Sequence, residues 1–592
     1  MKRAKFSTVL ILLSAIAFAE EHPKLAPELR GGQEQGIADV IIQFNNKPEN
    51  RSDVMKSKVA ARGGQVQHDF SFVHAMHATI PASRLAELEK DSEVTYISPN
   101  RKIGNLLYNS AGAVNANYAW AQGLSGAGIG VAIIDSGIHT DQDLQGVPVL
   151  GVGNRVVANY DIIGGGPDDK YGHGTHVAGI IAGDGADSSC LNCTTTFRGI
   201  ASGASLINFH VLDQNGQGSD ATVISAISQA IALKSQYNIR VINLSLGRPV
   251  YESYLQDPLC QAVEAAWNAG IVVVVAAGND GRDNTAGTSG YGTINAPGND
   301  PYVITVGAMN TVGTPDRADD IMTSYSSKGP TMIDHIAKPD LVAPGNKVVS
   351  LLATPGVTLA QQFPANRPTV GSYEENGPPG QMKKLSSDYF VLSGTSMAAP
   401  MVSAAAAILL QQNPQLTPDQ VKARLMKTAY KNLPQTVTIV SGGQTFVEQA
   451  DIFTVGAGYL DIQAALNDNS LSTLSAASPA VAYDATSGNV YMVANPSEVW
   501  GSNALWGSSQ IWGANAFVGT SGTATSANNA LWGSNALWGS NALWGSNALW
   551  GSSSASAFNA LWGSNALWGS ATLASDGTNL TNAMNVVIGG DN

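Results

Sequence analysis

Ile271-Val272-Val273-Val274-Val275-Ala276-Ala277-Gly278-Asn279 runs through seven apolar residues before it meets a glycine and an amide. A strand with one wet face alternates apolar and polar residues, whereas a continuous β-branched run belongs to a strand covered on both faces, as the strands of parallel sheets are. Val131-Ala132-Ile133-Ile134 and Val241-Ile242-Asn243-Leu244 follow the same pattern, with helical segments between the runs. Residues 114–466 thus read as one large α/β domain, a parallel sheet flanked by helices.

Working outward, residues 38–102 alternate strand and helix on a smaller scale. Asp39 to Phe44 is a strand, Arg51 to Arg62 a polar helix, Val66 to Ile80 extended, Arg84 to Lys90 a helix and Glu93 to Ser98 a strand. This is a small α+β unit of ferredoxin-like type, set between linkers at 20–37 and 103–113. At the start, Lys2, Arg3 and Lys5 precede an apolar run from Phe6 to Phe18, and Ala17-Phe18-Ala19 offers small residues before Glu20. That order is the order of a secretory signal over residues 1–19. The run has thirteen residues, short of the roughly 20 that span a bilayer, so no membrane span is expected and the product reads as secreted, extracellular or cell-surface associated.

Residues 467–592 form a third regime. The hexapeptide Asn-Ala-Leu-Trp-Gly-Ser recurs, so that Trp532, Trp538, Trp544 and Trp550 are six apart, and nine of the eleven tryptophans fall between Trp500 and Trp568. An even period puts every Trp on one side of an extended chain, whereas a helix would rotate it by about 240° per repeat. The tail therefore reads as extended and β-like. Two uses stay open: a tryptophan face for polysaccharide or cell envelope, and a low-complexity linker.

With 44% hydrophobic residues the chain can build a sizeable core. Its 32 basic residues face 45 acidic ones without a Lys/Arg cluster, and the resulting charge of −13 excludes nucleic acid as a partner. Three cysteines are not a disulfide framework; Cys190 and Cys193 suit a local loop bridge, and Cys260 sits in a helical apolar pattern as a small buried hydrophobe.

Three segments carry chemistry: Ile134-Asp135-Ser136-Gly137, His173-Gly174-Thr175-His176-Val177-Ala178-Gly179 and Gly394-Thr395-Ser396-Met397-Ala398-Ala399-Pro400. Asp135 ends a buried strand, while His173 and Ser396 each open an apolar helical run. In an open parallel sheet, carboxyl ends of strands meet amino ends of helices along one edge, where ligand crevices form.

Through these segments the chain resembles the subtilisin-like serine peptidases from about Trp120 to Leu466, in the chain order Asp, His, Ser that sets that family apart. The resemblance implies a serine endopeptidase in which Ser396 is the nucleophile, His173 the base and Asp135 its orienting partner, with His176 the competing base. It implies Asn279 and the backbone N–H of Ser396 as oxyanion donors. Ser245-Leu246-Gly247 and Gly216-Gln217-Gly218-Ser219 match the two family edges that hold a substrate chain extended. Ala277 and Gly278 line a small apolar pocket suited to medium or large uncharged side chains. No cofactor is required for the chemistry. Asp143 falls where relatives bind a structural calcium, with Asp184 and Asp187 nearby. The chain departs from compact relatives by several dozen inserted residues between Gly345 and Gly394, a stretch that would border the cleft.

The 38–102 unit resembles the family's inhibitory propeptide. Self-cleavage is then expected between Arg101 and Ala113, where Asn105-Leu106-Leu107-Tyr108-Asn109 reads as extended. The expected partners are protein or peptide substrates and the chain's own propeptide. The competing reading is a catalytically silent scaffold whose tryptophan-rich tail does the binding, and fold alone does not decide between the two.

Overall fold

The computed structural model describes residues 24–25, 29, 36–45, 51–70, 74–99, 106–146, 153–284, 288–375, 377–434, 436–484, 489–492, 525–526, 580–583 and 590–591. The signal over 1–19, most of the 20–37 linker, residues 103–105 of the second linker and the tryptophan hexads lie outside the described residues. Two compact units divide the chain, Met1–Ile103 and Gly104–Asn592.

In the first unit, four antiparallel strands lie in the order Gln65–Phe70, Ala75–Pro81, Ile37–Phe44 and Val94–Pro99. The stretch read as extended from Val66 to Ile80 is a pair of strands with Gln65 opposite Thr79 and Phe70 opposite Ala75. Alternation along Ile37–Phe44 buries Val40, Ile42 and Phe44, and the helices Arg51–Ala61 and Leu85–Glu89 bring Met55, Val59 and Leu88 into the same core.

The second unit is built on an eight-stranded sheet. Its order is Ile321–Met322, Ile304–Asn310, Val272–Ala276, Ile239–Leu244, Gly130–Asp135, Ser205–His210 and Val156–Asp161, with Leu341–Pro344 also against Ile304–Asn310. Every pair is parallel except the one made by Ile321–Met322. All residues of Gly130–Asp135, Val272–Ala276 and Ile304–Asn310 are buried, which is why their sequences show no alternation. The helix Thr395–Gln412 is buried at every position from Thr395 to Leu410, so it too lacks an apolar stripe. It packs on the central strands and against the helix His173–Ala182.

Two boundaries differ from the sequence expectation. Leu106–Ala113 is a helix, not an extended linker, with Asn109, Ser110 and Ala111 buried in the second unit. Its contacts come from far along the chain: Asn109 Nδ2 donates to Gly313 O at 2.8 Å, and a Cβ on Gly112 would meet Pro315. At the other end the unit continues past residue 467. Lys422, fully buried, donates to Ser478 Oγ at 2.8 Å and pairs with Asp340, which also pairs with buried Lys338. Burial pulls the Lys422 ammonium down to about 7 against the opposing pull of Asp340.

Cys190 and Cys193 are disulfide-bonded, with Cα atoms 4.9 Å apart, and Cys260 is a buried thiol. The insertion after Gly345 folds onto this loop and onto the approach to His173. Thr194 N donates to Tyr373 O at 2.8 Å and Glu375 N to Asn192 O at 2.8 Å. Thr358 N and Leu359 N donate to Lys170 O and Tyr171 O, both at 3.1 Å.

Candidate active site

Asp135 is the last residue of its strand, Ser245 and Asn279 follow theirs, and His173 and Ser396 lie in the first turns of their helices. All five therefore fall on the carboxyl edge of the sheet. Asp135 and His173 are completely buried, and His173 Nδ1 bonds Asp135 Oδ1 at 2.7 Å. Gly174 permits this approach, because a Cβ there would stand 2.2 Å from Gly137 O. Ser136 N also donates to Asp135 Oδ1, at 2.7 Å. Burial alone pulls the His173 imidazole down, but the charge and hydrogen bond of Asp135, with Asp169 adding, outweigh it and hold it above its ordinary value. His173 Nε2 is buried without a hydrogen-bond partner among the described residues.

Asp169 was not legible as a site residue. Its carboxylate accepts from Ser136 Oγ, Tyr171 N, Gly172 N, Thr175 N and Thr175 Oγ1, at 2.7 to 3.1 Å. Ser136 Oγ in turn accepts from Gly174 N at 2.9 Å. One carboxylate thus ties the end of the Asp135 strand to the turn that presents His173. In sequence it is only an Asp four residues ahead of a helix start, outside the N-cap position that Gly172 holds.

Ser396 is held from its backbone. Pro400 has no N–H, so the Ser396 carbonyl loses its partner one turn on. Ser245 Oγ fills the gap by donating to Ser396 O at 2.9 Å. The relay extends deeper: Asn243 Nδ2 donates to Ser245 Oγ at 3.0 Å, and Ser403 Oγ donates to Asn243 Oδ1 at 2.8 Å. The Ser396 hydroxyl donates to Ser245 O at 3.2 Å. Neither Asn243 nor Ser403 was a sequence candidate, since each looks like an ordinary core position.

Asn279 Oδ1 accepts from Thr395 N at 2.9 Å and from Thr395 Oγ1 at 3.1 Å. That fixes the amide, with its oxygen turned to the nucleophile loop. Ala277 is buried, and Gly278 exchanges hydrogen bonds with Thr395 Oγ1 through its N–H and its carbonyl, both at 3.2 Å. His176 is engaged elsewhere: Nε2 bonds the carbonyls of Val348 and Phe390, both at 3.1 Å, and burial, with the charge of His173, pushes it down to about 3. It pins the Val348–Leu351 and Tyr389–Leu392 pair to the His173 helix.

The two edge segments are short strands, Gln217–Ser219 and Leu246–Gly247. Gly216 has φ +71° and a Cβ there would meet the Tyr171 ring at 2.6 Å, so this glycine answers to a neighbouring side chain and not only to an approaching substrate.

Of the acidic candidates, Asp143 and Asp187 come together, and Asp141 joins them. Asp143 is buried; Oδ1 accepts from Asp187 N at 2.7 Å and Oδ2 from Tyr389 Oη at 2.9 Å. Burial, with the charges of Asp141 and Asp187 adding, pushes Asp143 up to about 8. Burial, with the charges of Asp141 and Asp388 adding, pushes Asp187 up to about 7. Asp184 is outside this trio and faces the charges of Arg155 and Arg198.

Fold and site define a class: an α/β enzyme with a buried Asp–His pair and a helix-borne serine on one sheet edge. Residues 126–458, more than half of the chain, match the model of the Subtilase family. Serine protease AprX of Bacillus subtilis strain 168 is 34% identical over 425 residues, 69% of this chain and 87% of its own length. Subtilisin E of the same organism is 31% identical over 424 residues, 71% of this chain and 91% of its own length. A crystal structure of a cold adapted subtilisin-like serine proteinase matches with a TM-score of 0.38 at 25% identity, covering 57% of this chain and 90% of that one. The chain belongs to the subtilase family and is a serine-type endopeptidase, acting on peptide bonds.

Proposed function

We propose that Ser396 attacks the substrate carbonyl after His173 takes its proton, that Asp135 holds the imidazole tautomer, and that the acyl-enzyme on Ser396 is hydrolysed by water. The observation that carries this reading is the fully buried 2.7 Å bond between His173 Nδ1 and Asp135 Oδ1. It commits Nδ1 to the carboxylate and leaves Nε2 as the working nitrogen. Rotation about χ1 moves the Ser396 hydroxyl off Ser245 O, and such bonds tighten when substrate binds. Asn279 and the Ser396 N–H then serve the developing oxyanion, while the edges at 216–219 and 245–247 pair with the substrate backbone. An organofluorophosphate should label one serine, and Ser396→Ala should abolish the label; a label that persists in that variant would sink the assignment.

The chain is made for export through residues 1–19, as a precursor whose 38–102 unit inhibits the enzyme until Ser396 cuts the junction. A bound strand must be extended, so the helix Leu106–Ala113 moves the preferred junction from 101–113 to residues 101–105. No helix among the described residues is long and apolar enough to cross a membrane.

Asp141, Asp143 and Asp187 fit a hard divalent cation such as calcium, because burial holds all three crowded carboxylates above their ordinary range and a cation relieves that. The ion would supply no chemistry to the reaction and would tie the 141–144 turn to the 184–189 loop. A site filled at 100 times its Kd stabilises by about 2.7 kcal/mol. At about 2–4 °C per kcal/mol a chelator should lower Tm by roughly 5–10 °C. In Asp143→Asn the chelator should have little effect. An unchanged Tm in the parent chain on chelation would remove calcium from the account.

A further inference from the structure

Between the two edge strands lies a third. Leu580–Ala583 is the middle strand of a three-stranded sheet, antiparallel to both neighbours. Leu580 stands opposite Ser219, Thr581 opposite Gly218 and Asn582 opposite Gln217 on one side; Asn582 stands opposite Gly247 and Ala583 opposite Leu246 on the other. The residue before Leu246 is Ser245, whose carbonyl accepts from the Ser396 hydroxyl at 3.2 Å. The strand thus runs along the groove toward the nucleophile.

A second observation lies eight residues on. Asp591 is fully buried: Oδ1 pairs with Arg282 Nη2 at 2.6 Å and accepts from Ser324 Oγ at 2.7 Å, and Oδ2 accepts from Ser324 N at 2.6 Å. Its backbone is gripped as well, because Asn346 Nδ2 donates to Asp591 O at 2.9 Å and Asp591 N donates to Asn346 Oδ1 at 2.8 Å. Gly590 has φ +57°, and a Cβ there would stand 2.4 Å from Asn346 Oδ1 and 2.6 Å from Ser393 Oγ. The pocket admits glycine followed by a carboxylate. Arg282 lies three residues after Asn279 and Ser393 three before Ser396, so the pocket is built on the loops that carry the candidate oxyanion donor and nucleophile.

We infer that Arg282, Ser324, Asn346 and Ser393 form a docking site for the Gly590–Asp591 pair of the same chain, and that this anchor lays Leu580–Ala583 into the substrate groove as an intramolecular competitor. The inference rests on reading the two edges as that groove. A short tether gives an effective concentration on the order of millimolar, so a strand with weak affinity of its own still occupies the groove.

The test is hydrogen exchange on the full chain in the Ser396→Ala background, compared with the same chain carrying Asp591→Ala or Asn582→Pro. Peptides covering 217–219 and 246–247 should exchange slowly in the parent and about tenfold or more faster in each variant, while the central sheet keeps its protection. Protection in the parent should survive tenfold dilution, since the ligand is in the same chain. Fast exchange at both edges in the parent, loss on dilution, or equal rates in parent and Asn582→Pro would overturn the occupied groove. Acceleration by Asn582→Pro but not by a folded Asp591→Ala would overturn the anchor. The exchange rates do not depend on a reactive Ser396, so these outcomes stand apart from the labelling test of the nucleophile.

Discussion

Ser396→Ala and His173→Ala should each lower kcat by about 10⁶-fold, the size such replacements have in a subtilisin, and the double variant should be no worse than either. The reason is that nucleophile and base act as one device. Without His173 the Ser396 hydroxyl keeps its proton and is a poor nucleophile; without the hydroxyl the imidazole has nothing to activate. The surrounding groups are untouched by either change: Ser245 Oγ still holds the Ser396 carbonyl and Thr395 still holds Asn279. A residue of about 10³–10⁴-fold over the uncatalysed reaction should therefore survive in all three variants. Initial rates on a chromogenic peptide decide the matter. If losses multiply in the double variant, the two side chains act independently and the proposed unit does not exist.

The sheet was legible because its strands are buried on both faces and their sequences show it, as in Val272–Ala276. The positions of Asp135, His173, Ser396 and Asn279 were legible because each lies where an apolar run begins or ends. What failed to show was whatever depends on partners distant in sequence. Leu106–Asn109 looks extended in isolation, yet Gly313 and Pro315, two hundred residues on, give its helix a surface to pack against. Asp184 seemed to belong with Asp187 by proximity, but the fold turns it toward Arg155 and Arg198. Asp169 looks like any loop carboxylate until five donors converge on it. Pro400 shows a similar limit: a proline inside a helix reads as an irregularity, and only the Ser245 hydroxyl on the vacated carbonyl reveals what it makes possible.

Asp135→Asn should cost about 10⁴-fold in kcat, the loss seen when the orienting aspartate of another triad enzyme is made an amide. Volume is conserved, and an asparagine oxygen in the Oδ1 position still accepts from both Ser136 N and His173 Nδ1, because that one atom serves both. What is lost is the negative charge that stabilises the imidazolium formed when His173 takes the serine proton, so the barrier rises although the ring keeps its place. A pH profile separates this from general damage. The base works when neutral, so kcat/KM rises as His173 loses its proton, and the Asp135 charge places that midpoint above the ordinary value of about 6.5. In Asp135→Asn the opposing effect, burial, is left with only the more distant charge of Asp169 against it, and the acid limb should move to lower pH. A slow variant whose midpoint stays where the parent's lies would mean that the carboxylate charge does not act on His173, and Asp135 would then be a packing residue at the end of its strand.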